Sequence, residues 1–244
     1  MRSLRCAFGV IAVLCLGTPQ VIAQTKTVDR STDPHYIKPG FFDVHYCHWS
    51  DRPDFFLVLF STTKFSDVER IETFYPDGSS LGALDLDLYR VLERAGKPVK
   101  RVFMKNFPAG KDAPTGWYTA KVTMKDGTVH EARDFVYIIS MDLAKNVSPP
   151  DKSENIAVPN RLSWDPVPGA SYYRVFVWDM WDDRKQILDS HLITKPWFDV
   201  PTGLLKKGGW YQWSIHARDV NEHVLLGDFN HGSNLVGLQF TTGD

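Results

Sequence analysis

The 244-residue chain carries 28 Lys and Arg against 29 Asp and Glu, a formal net charge of -1, with 43% hydrophobic and 23% charged residues. These proportions exclude a disordered or fibrous chain. The near-neutral balance argues against a nucleic-acid partner, whose phosphates call for a basic excess. At about 150 residues per domain, the length fits one large domain or two small ones.

The amino terminus reads as a processing segment. Arg2 and Arg5 precede an apolar run from Cys6 to Leu16, and Val21-Ile22-Ala23 ends it. A basic start, a short apolar run and a small terminal residue predict a secretory signal peptide over residues 1–23. The run is too short to span a bilayer comfortably, and Pro19 interrupts its flank. Leu14 before Cys15 argues against lipidation. Cleavage after Ala23 removes Cys6 and Cys15, leaving Cys47 without a partner for an internal disulfide. The mature chain then holds no membrane span, and the expected location is the periplasm or the cell exterior.

Residues 24–40 are polar and aperiodic, which predicts a flexible leader. Residues 41–147 form a first block and residues 159–244 a second. The Pro149-Pro150 pair within residues 148–158 predicts an extended linker, since consecutive prolines fix φ and remove donors. The first block reads as strands. Phe55–Phe60 is a short aromatic run of strand length, and Val68–Tyr75 ends at a Pro76-Asp77-Gly78 turn. Trp117–Met124 and Val129–Ile138 flank Lys125-Asp126-Gly127-Thr128, a strong hairpin signal. Leu84, Leu88, Val91, Leu92 and Ala95 fall at helical spacing before Gly96 and Pro98, which predicts a short helix over Asp85–Ala95. The competing reading is a strand through 84–88, whose alternation is equally clean.

The second block carries more specific residues. Trp164, the Gly169-Ala170 turn, Tyr173 and Val175 precede Leu205, Gly208 and Tyr211. This pattern resembles a fibronectin type III domain over about 159–242. The resemblance makes Trp164 the core tryptophan and Leu205, Gly208 and Tyr211 a tyrosine corner, with Lys207 standing where that family often has proline. It implies a β-sandwich and says little about function. Alternation agrees, since Tyr173, Val175 and Val177 share one face, as do Tyr211, Trp213, Ile215 and Ala217. Leu235–Thr241 is the expected last strand. Gly116-Trp117-Tyr118-Thr119-Ala120, the Asp126-Gly127 hairpin and the Pro76-Asp77-Gly78 turn make the first block similar to the immunoglobulin-like domains that precede fibronectin type III domains in exported proteins. The predicted fold is therefore all-β, two tandem immunoglobulin-like sandwiches with a short helix in the first.

Several residue sets could carry chemistry. His45, Cys47 and His48, with His35 nearby, are of metal-ligating type. Strand alternation places His45 and Cys47 on one face and His48 on the other, so they do not converge. Buried structural residues are the favoured reading, and no metal or cofactor is expected. Asp85 with Asp87, and Asp179 with Asp182 and Asp183, lack the glycine and distal Glu of a calcium loop. Asn146-Val147-Ser148 fits a glycosylation sequon. No serine-hydrolase elbow, phosphate loop or zinc-protease helix is present.

The most informative feature is aromatic. The outward residues of two neighbouring strands in the second block are Tyr172, Arg174, Phe176 and Trp178 on one, and Trp210, Gln212, Ser214 and His216 on the other. Four large aromatics on a nominal solvent face mark a contact surface. The occupant is a protein partner or the chain's own first domain, with a glycan as the alternative. The sequence thus points to an exported, non-enzymatic binding or scaffold protein. An accessory carbohydrate-binding protein is the second reading, and a hydrolase with carboxylates between the domains the third.

Overall fold

A computed structural model describes residues 32–220 and 229–244. The predicted signal peptide lies outside the described residues. Among the described residues no helix is long and apolar enough to cross a membrane, a statement that does not bear on β-barrels.

The first core lies between two antiparallel sheets. One sheet contains β2 (Gly40–Trp49), β3 (Phe55–Thr62), β7 (Lys100–Pro108) and β6 (Tyr89–Leu92), in that order, with the short β1 (Tyr36–Ile37) added to β2. The other runs β5 (Ser80–Ala83), β4 (Val68–Phe74), β8 (Gly116–Met124), β9 (Val129–Val136). Period-two alternation sends Phe42, Val44, Phe56, Val58 and Phe60 inward from one sheet to meet Ile71, Tyr118, Ala120 and Val122 from the other. Burying each such Phe contributes roughly 1.5–3 kcal/mol. The Asp-Gly hairpin joins β8 to β9 as the sequence predicts, with Met124 and Thr128 bonded across it and Gly127 at φ 81°.

The second core is organised by tryptophan. The strands β13 (Lys185–Asp189), β12 (Tyr172–Asp179), β15 (Trp210–Arg218) and β16 (His231–Thr242) form one layer. The pair β11 (Arg161–Ser163) and β14 (Trp197–Asp199) forms another. Trp164 is 4% exposed and meets Tyr173 at 5.2 Å, as expected for a core tryptophan. The tyrosine corner is present, for the Lys206 amide donates to the Tyr211 hydroxyl at 2.8 Å. A Cβ on Gly209 would lie 2.3 Å from the Tyr211 ring, so only glycine lets the chain pass there.

One strand ties the halves together. The first half of β16 pairs in parallel with β2, from His231 opposite Tyr46 to Asn234 opposite Trp49. Its second half pairs in parallel with β10 (Ser153–Ile156). The antiparallel neighbour β15 runs along its other edge. The result is a continuous ten-stranded sheet shared by both sandwiches, and residues 33–244 form one compact unit.

Three expectations need correction. Residues 85–95 form no helix. The Asp85 carboxylate accepts the Asp87 amide, a local turn that competes with helix initiation, and residues 89–92 instead take β7 as their partner. Leu88, Val91 and Leu92 stay exposed, so the helical spacing had no surface to pack on. The competing strand through 84–88 is absent too, because the strand begins at Tyr89. The leader read over 24–40 is held in place at its carboxyl end, where Pro34 accepts the Arg133 amide and His35 is buried. The segment 148–158 runs extended, but as a paired part of the second sandwich. Lys152 donates to the Gln239 carbonyl, and the Asp151 carboxylate accepts the Gln239 amide.

Candidate functional site

The outward face of β12 and β15 has two ends with different surroundings. At one end, Phe176 stacks on Trp178 with centroids 6.0 Å apart, and the Arg174 guanidinium lies 5.2 Å over Phe176. Asp189 holds that guanidinium through two hydrogen bonds of 2.6 and 2.7 Å. Gln212 stands opposite Trp178 across the strand pair. Trp210 donates from Nε1 to Gln239 at 3.1 Å and meets Trp181 edge-on at 5.3 Å. Trp181 sits in the turn after β12 and is 71% exposed, while Phe176, Trp178, Trp210 and Gln212 are half-buried. Alternation named this set except Trp181, which lies beyond the strand. Its signal was the Trp-Asp-Asp turn itself, since the Asp179 carboxylate caps the Trp181 amide and presents the indole outward. Tyr172 lies at the far end of β12, opposite Arg218.

At the other end the face is closed. His216 was expected on the open face, and alternation does send it outward, but it is 6% exposed. Phe229 packs over it at 5.0 Å and over His45 of the first sandwich at 4.2 Å. Trp49 stands 6.3 Å away on the same sheet face. A Cβ on Gly232 would lie 2.7 Å from both Phe229 and His216, so glycine makes room for this cover. Burial, with Arg218, His45 and Arg174 as further causes, holds His216 neutral, well below its usual range. Arg218 donates to Nδ1, so the ring proton resides on Nε2, which has no partner among the described residues. What the sequence could not show is that the Phe229 ring covers His216 and His45 together.

The remaining histidines and acids of this region are tied to one another. His35 bridges Asp33 at 2.8 Å and Asp134 at 2.9 Å. Burial alone would lower its pKa, but the hydrogen bonds and charges of Asp134 and Asp33 push it up to about 9. Asp134 also accepts the Val44 amide of β2 at 2.7 Å, closing the first sandwich where β9 meets β2. Asp43 accepts that same amide and faces His45 at 3.2 Å. His231 binds Asp219 and the Tyr137 carbonyl, each at 2.6 Å. Burial opposes the charge on His231, yet those two partners raise its pKa.

His35, Asp43 and Asp134 offer atoms that lie within 4.8 Å of one another, the grouping that could receive a metal ion among the described residues. A metal there would have to displace one of the two ring protons that His35 holds toward Asp33 at Nδ1 and Asp134 at Nε2. The pair named from sequence, His45 and Cys47, does not make a ligand set. Cys47 is 1% exposed, and burial pushes its thiol up to about 11. His48 turns to the opposite face and binds Asp54 at 2.6 Å. The acids weighed for calcium serve turns: Asp85 and Asp179 cap amides, and Asp182 pairs with Lys185 at 3.1 Å.

No protein-family model matches the chain, and no curated protein matches it. Among solved structures, the tandem Ig repeats of Dlar align with 84% of this chain and 97% of that one, at 11% identity and a TM-score of 0.30. The FN1–FN3 domains of chicken CNTN1 align with 84% of this chain and 65% of that one, at 10% identity and a TM-score of 0.28. Salmonella alpha-2-macroglobulin reacted with methylamine aligns with 87% of this chain at 12% identity and a TM-score of 0.27. This chain spans 15% of that protein's length. The fold assignment rests on the strand pairing and cores above, not on these likenesses.

Proposed function

We propose that this is an exported, non-enzymatic binding or scaffold protein of the periplasm or cell surface, which holds a protein partner on the Trp178–Trp181–Trp210 end of its second sandwich. One observation carries the reading: three tryptophans and Phe176 gather at the surface where the cover over His216 ends. Indoles of this kind supply much of the energy at protein interfaces, because they bury a large apolar area with little loss of conformational freedom. Arg174, Gln212 and Gln239 provide the polar rim such a surface needs. The non-enzymatic part is supported by the buried and half-buried acids, since Asp43, Asp134 and Asp219 each hold a backbone amide and a histidine. Acids so engaged serve structure. Export is supported by the basic and apolar amino terminus.

The test is photo-cross-linking from a benzoylphenylalanine placed at position 181, with position 207 as control, in cells that make the protein. The expected result is a discrete protein adduct from position 181 that disappears in the Phe176→Ser, Trp210→Ser double variant. Identical adducts from both positions, or an adduct indifferent to the double variant, would contradict the assignment.

A further inference from the structure

A second aromatic surface lies on the first sandwich, on the outward face of the β4–β8–β9 sheet. Trp117 and Phe135 are directly paired across β8 and β9 and meet edge-on at 5.2 Å. Phe135 in turn meets Tyr137 at 4.9 Å. The three are 46%, 36% and 56% exposed, so the described residues leave this face uncovered. Beside Trp117 opens a cleft of about 420 Å³, walled on one side by the turn at residues 75–78. Its sheet side is built from cross-strand rows: Phe74, Thr119 and Arg133 in one, Lys121 and Glu131 in the next. The cleft is open to solvent, a shape that suits a ligand lying against the surface.

The polar groups here are charged and centred on Glu131. Glu131 forms ion pairs with Lys121 at 3.5 Å and Arg133 at 3.8 Å, and Lys121 also lies 5.2 Å over Phe74. The cations are thus offset by Glu131, which disfavours a free anion as the occupant. What remains is an acceptor flanked by donors, next to an exposed indole. A pyranose ring has the matching chemistry: hydroxyls around its rim that both donate and accept, and a C–H face that packs on an aromatic ring. We infer that the cleft beside Trp117 is a saccharide-binding site, taking a sugar ring against Trp117 with vicinal hydroxyls on Glu131 and Arg133. It lies on a different sheet from the Trp181 surface and does not depend on the function proposed for that surface. Together the two would let one chain hold a protein to a polysaccharide.

Calorimetric titration with cellohexaose, xylohexaose, chitohexaose and maltohexaose tests this. At least one should give saturable binding. Trp117→Ala and Glu131→Gln should each weaken it by about tenfold or more, a change of about 1.4 kcal/mol. Trp181→Ala should leave it unchanged. Glu131 is exposed enough that its amide variant will fold, so that variant carries the test if Trp117→Ala does not. Saturable binding to none of the four would overturn the inference. So would binding unmoved by Glu131→Gln, or binding lost on Trp181→Ala.

Discussion

The two ends of one β15 face show how a single strand can serve both structure and surface. His216 and Trp210 sit on the same face of one strand, and both point away from the second core. One is buried beneath Phe229 and flanked by Trp49 and His45 from the first sandwich. The other is half-buried, braced by Gln239 and Trp181. The difference is not in the strand's own pattern. It comes from β2, which continues the sheet beyond β16, and from the Phe229 ring that lies over Gly232. Alternation decides which side a residue takes, and tertiary cover decides whether that side meets water.

If the closed end is a structural joint, removing its cover should be costly. Phe229→Ala should destabilise the protein by about 3–5 kcal/mol, the usual loss for truncating a buried phenylalanine, read as a lower midpoint in chemical denaturation. A loss under about 1 kcal/mol would place Phe229 among ordinary surface residues.

The buried and half-buried histidines make a pH-dependent contribution of smaller size, and its sign can be worked out. His216 is neutral when folded, with its pKa held well below 6.5, so its contribution is intact above 6.5 and declines as acid protonates the unfolded chain. His35 is raised from 6.5 to about 9, so its contribution is full below 6.5 and lost as pH rises through about 9. His231 is raised as well and acts in the same direction as His35. Stability should therefore peak near pH 6.5 and fall on both sides. Denaturation midpoints measured across this range should show that maximum, and His35→Gln should flatten the alkaline side. A midpoint that rises steadily through pH 9 would show that these groups do not govern the stability of the protein.

Much of the fold was legible because it is written in short-range chemistry. The Asp126-Gly127 turn, the Trp164 and Tyr211 positions and the alternation of β12 and β15 each depend on a few neighbouring residues, and each is found. The segment at 85–95 misled because its apolar spacing suits a helix while Asp85 starts a turn and β7 offers a backbone partner. The long-range contacts were illegible for a different reason. His35 meets Asp134 across 99 positions, and Tyr137 meets His231 across 94, so no local pattern announces either contact. The aromatic surface lay between these cases: alternation named Phe176, Trp178 and Trp210, but could not exclude His216 or include Trp181.

Hydroxyl-radical footprinting of the isolated protein, read residue by residue by mass spectrometry, tests the contrast between the two ends most directly. The account predicts rapid oxidation at Trp181, appreciable oxidation at Trp178 and Trp210, and strong protection at His216 and Phe229. Oxidation of His216 and Phe229 at a rate matching Trp181, or protection of all three tryptophans in the protein alone, would contradict it.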